Sequence, residues 1–181
     1  MRAEKTSRAG VRGALALLLA GLAAAAAPRP VDAQTEPAAR VWLGLGIATA
    51  GVRNVNANAG WSAELGIERA PVHYAIRMTW LADLHLPELG SDRVREVGAL
   101  YGRVTTTSWG HASVAAGLSV VTVDGCDGTY EKSCTTIGVP LVAEARLESQ
   151  VIGLALQAFG DINPKATFGG LGLSLRLGWM P

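Results

Sequence analysis

The stretch that most constrains this 181-residue chain is its last, residues 168–180, FGGLGLSLRLGWM. Leu171, Leu173, Leu175, Leu177 and Trp179 fall on one side of an extended strand, and Gly170, Gly172, Ser174, Arg176 and Gly178 on the other. A period of two with one greasy face and one small or polar face is a strand pattern. A soluble protein buries such a face against a second layer. A membrane barrel turns it toward lipid and points the Arg side into the lumen. The rest of the chain decides between the two.

Seven further segments read as strands: 41–49, 61–69, 72–84, 93–105, 111–123, 137–148 and 151–159. Greasy faces run Val41, Leu43, Leu45, Ile47, then Trp61, Ala63, Leu65, Ile67, then Tyr74, Ile76, Met78, Trp80, and later Ile152, Leu154, Leu156, Ala158. Segment 93–105 has no fixed parity and leaves room for a bulge that would switch its faces. Pro140 cannot donate to a ladder, which predicts a place near the rim for it. Residues 143–159 also carry Leu147, Val151 and Leu154 at helical spacing, so a helix in a soluble α+β domain stays open, although Gly153 and the short turn at 149–150 suit two strands.

The connections carry independent information. They alternate long (51–60), short (70–71), long (85–92), short (106–110), long (124–136), short (149–150) and long (160–167). A membrane barrel places tight turns at one end and long loops at the other. The expectation is therefore all-β: an eight-stranded antiparallel up-and-down transmembrane β-barrel, closed because unpaired backbone is costly in hydrocarbon. Trp61 and Trp80 then fall near the outer rim and Trp42, Tyr74, Trp109 and Trp179 near the inner one, as an aromatic belt. The same register sends Glu64, Glu68, Arg77, Glu144, Arg146, Glu148 and Arg176 into the lumen, together with Glu96 if its strand keeps one parity. Eight strands leave barely enough width for side chains, so these charges should pair and plug the interior without a conducting pore.

The N-terminus reads as an export signal. Arg2, Lys5, Arg8 and Arg12 precede an apolar run from Gly13 to Ala27, and Val31-Asp32-Ala33 supplies small residues at a cleavage site. Residues 1–33 are the expected signal peptide and 34–181 the single barrel domain; an uncleaved anchor is the alternative. Residues 1–33 hold five of the 16 basic and two of the 15 acidic residues, which leaves 11 against 13 and a formal net charge of −2. No basic stripe remains to argue for nucleic acid. Cys126 and Cys134, seven residues between them, would close a loop by a disulfide in an oxidising compartment.

Candidate chemistry is sparse. His111 and Ser113, two apart on a strand, share a face, so the His could serve as base to the Ser. His73, Asp83 and His85 would lie at opposite rims and do not converge on a metal. Asp124, Asp127 and Glu131 lack the spacing of a calcium loop. No P-loop, GxGxxG, HExxH or GxSxG occurs. No cofactor or metal is expected.

The whole pattern over 39–180 resembles the small eight-stranded outer-membrane β-barrel proteins of Gram-negative bacteria. His111 and Ser113 resemble more distantly the His-x-Ser motif of outer-membrane lipid A deacylases, although Val114 follows where that family carries Asn and no Glu is placed as orienter. The first resemblance implies a monomer in the outer membrane that contacts lipid through its wall and protein partners through its surface loops, in a structural or surface-interaction role. The second implies a lipid-modifying hydrolase. A soluble exported lipocalin-like barrel binding an apolar ligand is a third reading, and it predicts an apolar interior under a polar outside.

Overall fold

A computed structural model describes residues 39–53, 57–83, 93–107, 110–124, 133–149 and 151–179. Eight strands, β1 (Arg40–Val52), β2 (Ala59–Arg69), β3 (Val72–Ala82), β4 (Arg93–Thr107), β5 (Gly110–Asp124), β6 (Ser133–Glu148), β7 (Ile152–Ile162) and β8 (Phe168–Trp179), pair antiparallel in sequence order. β8 returns to β1 and closes the barrel. Residues 143–159 are parts of two strands, which removes the helical alternative.

The register fixes the geometry of the wall. Followed once around, Val41 pairs with Ile67, then Tyr74, Tyr101, Ala116, Leu141, Gly160 and Gly169, and returns to Gly51 on β1. The offset from residue 41 to residue 51 is a shear of ten. With strands about 4.8 Å apart and a rise of about 3.3 Å per residue, a shear of ten over eight strands gives a tilt of about 40° and a backbone radius of about 8 Å. That tilt lies in the range of membrane barrels.

β2 and β3, β4 and β5, and β6 and β7 follow one another after two or three residues at one end of the barrel, here called the turn end, and the strand ends joined by the longer connections lie at the other, the loop end. The 163–167 loop is organised by one side chain. The Asn163 side-chain Oδ1 accepts from the backbone N–H of Lys165 and Ala166, and its side-chain NH2 donates to Asp161 and to the Ala166 backbone carbonyl.

Inside and outside are reversed relative to a soluble protein. Ile47, Leu118 and Ile137 are 70%, 68% and 71% exposed, within a girdle of exposed Leu, Ile and Val on every strand. Arg77, Arg146 and Arg176 are 1%, 1% and 2% exposed. At about 25 cal/mol per Å², so large an apolar outside would be strongly unfavourable in water and is favourable in lipid. The lipocalin-like reading is thereby corrected: the interior is charged and the outside apolar. Where β4, β5 and β6 run past the girdle toward the loop end, the wall turns polar, with Arg95 paired to Asp124 at 2.9 Å and Thr122 beside Thr135 at 3.3 Å.

Several local expectations are corrected. β4 keeps one parity throughout, with Val94, Glu96, Gly98, Leu100, Gly102 and Val104 inward, and needs no bulge. β7 continues to Ile162, so Asp161 belongs to the wall and is fully buried. Pro140 lies inside β6 with its side chain buried in the lumen; the β5–β6 ladder skips from Ala116–Leu141 to Ser119–Gly138, because proline has no N–H to give. Pro140 meets a rim only on its β7 side, where Asp161 is its partner next to the strand end. Trp42 is not a belt residue but points into the lumen and is buried. Trp61 and Trp80 stack across β2–β3 at the loop end, centroids 6.5 Å apart, and Tyr74 and Tyr101 meet at 5.3 Å toward the turn end. Trp109 and the side chain of Trp179 lie outside the described residues.

Candidate functional site: the charged lumen

The inward face stacks in layers. At the loop end the side chains are apolar: Leu81, Val94, Val121 and Val123 are almost fully buried, with Val52 and Phe168 beside them. Below them come Arg77, Thr79, Glu96, Ser119 and Asp161, then Glu64, Glu144, Gln157, Arg176 and Trp42, and at the turn end Glu68, His73, Arg146 and Glu148. Alternation produces this order, since each inward side chain stands two residues from the next on its strand.

The two lower layers form one network. Arg146 donates to Glu68 across the lumen from β6 to β2, and its Nε lies 3.2 Å from Glu148 and 3.5 Å from Glu144. Arg176 on β8 donates to Glu144 and lies 3.6 Å from Glu64. The Gln157 amide donates to Glu144 at 2.6 Å and to Glu64 at 3.3 Å. The Arg176 guanidinium sits 3.5 Å from the centroid of Trp42, so one cation serves two carboxylates and an aromatic face. In a water-poor interior such shared pairs are held by the desolvation cost of leaving any partner alone.

Small residues make room for the large ones. A Cβ on Gly66 would stand 2.4 Å from the Trp42 ring, and one on Gly138 would stand 2.1 Å from Asp161 Oδ1. Asp161 uses that space to reach β5, where the Ser119 hydroxyl donates to it.

All seven charged residues assigned to the lumen from sequence point inward, and Glu96 joins them. The lumen set read from sequence did not name Trp42, His73, Ser119, Gln157 or Asp161, although Trp42 and His73 share the inward parity of Gly44 and Arg77. Gln157 and Asp161 were legible as polar positions at period two with Gly153 and Ala155 on β7, a face that ends beyond the apparent strand boundary. Trp42 shares the inward parity of Gly44, Gly46 and Ala48, and that signal was overridden because a tryptophan at a strand end also suits a belt.

His111 and Ser113 both lie on the inward face of β5, opposite Arg146 and Glu144. Ser113 is 4% exposed, and His111 Nε2 stands 3.9 Å from Glu148 Oε2, beyond hydrogen-bond reach. A seryl nucleophile behind the wall has no path to an acyl chain in the surrounding lipid. His73 is buried beside Trp42, ring centroids 6.2 Å apart, at the end remote from Asp83, and His85 lies outside the described residues. Among the described residues no three acidic, His or Cys side chains gather as a metal site. Cys134 is near the start of β6, opposite Val123, and Cys126 lies outside the described residues, as do Asp127 and Glu131.

A recess opens at the turn end between Arg40, Trp42, Glu148 and Ile152. Arg40 lies 3.5 Å from Glu148 at its mouth, so the network ends in a partly exposed ion pair.

No protein-family model matches the chain, and no curated protein matches it in sequence. Among solved structures it is similar to Ail, the attachment invasion locus protein of Yersinia pestis, in complex with the heparin analogue sucrose octasulfate: TM-score 0.59, 9% identity, 79% of this chain and 100% of that one. It is similar to Neisserial surface protein A (0.55, 14%, 80% and 99%) and to the N-terminal β-barrel domain of Pseudomonas aeruginosa OprF (0.53, 10%, 80% and 100%). At these identities the likeness is one of fold, that of the small eight-stranded outer-membrane barrels.

Proposed function

We propose that this protein is a structural and surface-interaction barrel of the Gram-negative outer membrane, with a filled, non-conducting lumen. The observation that carries the reading is the pairing of an exposed aliphatic girdle with a buried, cross-linked charge network. A barrel built to conduct would keep water along its axis; here Arg146 reaches from β6 straight across to β2, Gln157 from β7 to β2 and Arg176 from β8 to β6, in a lumen about 8 Å in backbone radius. Cross-links between facing strands stiffen the wall and leave the loop end free to vary.

In this reading residues 1–33 are removed as a signal peptide and the mature chain, 34–181, is a monomer. A Cys126–Cys134 disulfide closes the third long loop. Partners meet the loops, with lipid around the girdle. That Ail is solved with a sulfated polyanion supports contacts of the same chemical kind here, because Arg53, Arg93 and Arg95 all face outward at the loop end.

The test is the electrophoretic mobility of protein from purified outer membranes, boiled against unboiled, followed by reconstitution in planar bilayers. A heat-dependent shift with no discrete conductance steps is expected. Recovery in the soluble fraction without a shift would overturn the membrane assignment, and sustained single-channel steps would overturn the filled lumen.

A further inference from the structure

Arginines face outward at both ends of the barrel, and their surroundings differ. Toward the loop end Arg95 is joined to Asp124 at 2.9 Å. At the turn end Arg69 closes β2 and Arg103 stands near the end of β4, both exposed. Val72 on β3 pairs with each of them, so the three make one outward row across β2, β3 and β4. Val114, which continues the row onto β5, adds no carboxylate.

The row is held as a unit. The backbone N–H of Val104 donates to the Pro71 carbonyl at 2.9 Å and fastens the β2–β3 turn to β4. Two strand spacings put the Cα atoms of Arg69 and Arg103 about 10 Å apart, a gap that two arginine side chains can close over Val72. One step toward the girdle, Tyr74 and Tyr101 form an exposed aromatic pair, ring centroids 5.3 Å apart. Beyond them the wall is shallow: Ala116, beside Tyr101 in register, and Ala99, between Ile76 and Leu118, are small and exposed.

From the rim inward the outer surface therefore runs cationic, then phenolic, then shallow and apolar. A glycerophospholipid presents its groups in the same order: phosphate, ester, acyl chain. Guanidinium groups hold phosphate oxygens through charge-assisted hydrogen bonds, and tyrosine settles where its ring meets hydrocarbon and its hydroxyl the headgroups. Two arginines favour a headgroup of net negative charge, since a zwitterionic one brings a cation of its own into the row. A free phosphate ion would meet the arginines alone and leave the tyrosines and alanines unused.

We propose that Arg69, Arg103, Tyr74 and Tyr101 form a site for one anionic glycerophospholipid on the outer wall at the turn end, with the phosphate between the two guanidinium groups and an acyl chain over Ala99 and Ala116. A lipid bound there fixes the depth of the β2–β3–β4 face in the bilayer, independently of the charged lumen. The inference rests on the membrane-spanning reading above.

Native mass spectrometry of the full-length mature barrel in detergent tests it, with dioleoylphosphatidylglycerol, dioleoylphosphatidylcholine and inorganic phosphate as separate probes. Expected is one phosphatidylglycerol retained per barrel, in preference to phosphatidylcholine at equal concentration, with no retention of inorganic phosphate. An Arg69→Gln/Arg103→Gln variant should bind phosphatidylglycerol about thirty-fold more weakly, each arginine beside an anionic headgroup being worth about five-fold. Lys165→Gln, exposed on the 163–167 loop at the other end, should bind as wild type does. Equal retention of the two lipids, or a double variant that binds like wild type, would overturn the site, and retention of inorganic phosphate would overturn lipid as its ligand. An equal loss in Lys165→Gln would reduce the effect to net charge and overturn the site as well. Each variant is first checked for its heat-dependent gel shift; should the double variant fail to fold, the comparison of the two lipids on wild type decides alone. Wild type without that shift would overturn the membrane reading itself, so the two failures are told apart.

Discussion

Replacement of Arg146 by Met gives the sharpest test of the network. The guanidinium is 1% exposed and is the common partner of Glu68, Glu144 and Glu148. Met preserves most of the apolar stem, so little packing is lost and the effect is electrostatic. Glu144 keeps Arg176 and Gln157, and Glu148 keeps Arg40, but Glu68 has no other ion pair among the described residues. Stranding one buried carboxylate costs about 3–5 kcal/mol. With an m-value of about 2 kcal/mol per M, the urea midpoint should fall by about 2 M. The assay is equilibrium unfolding in lipid vesicles, followed by tryptophan fluorescence and by the unboiled gel band. An Arg146→Met/Glu68→Leu double variant removes the stranded charge and should recover more than half of the loss, because a buried ion pair adds little over apolar packing of similar volume. A single variant whose midpoint stays within about 0.3 M of wild type, given that m-value, would refute the account of Arg146 as the keystone of the lower layers.

Three further outcomes follow from the same geometry. Gly66→Ala should lower stability by about 1–3 kcal/mol or block folding, since its Cβ would stand 2.4 Å from Trp42, whereas Gly44→Ala, with no contact under 3.6 Å, should lie near wild type in the same unfolding assay. Leu173→Arg, in the middle of β8 on the lipid side, should cost about 2–4 kcal/mol and reduce the yield of membrane-assembled protein, and normal assembly would refute the lipid-facing assignment. Trp42→Leu should lower the unfolding midpoint by an amount equivalent to about 1–2 kcal/mol, because it takes the aromatic face from Arg176, and a variant as stable as wild type would deny that contact any weight.

Strand number, order and the facing of nearly every charged residue were legible in the chain, for one physical reason. A strand that faces lipid on one side and a narrow lumen on the other must alternate, and Leu171 to Arg176 could satisfy that demand in only one register. The alternation of tight turns with long loops set the polarity of the barrel, and it needed only counting. What the alternation could not carry was height and partner. Pro140 looked like a rim residue because a missing N–H is cheapest at an edge, yet it lies within β6, where the ladder to β5 skips it. Asp161 looked like the start of a loop because Asn163-Pro164 follows, and only closure of the barrel brought it across Gly138 to Ser119. Trp42 has the inward parity of Gly44 and Gly46, but that a ring so large fits there depends on Gly66, one strand away, which leaves it space. Sequence determined which side of the wall each residue occupies, since that is a local matter of parity. The shear of ten, which rotates each strand against the next and so selects which inward charge meets which, is a property of the closed sheet and was decided by tertiary structure alone.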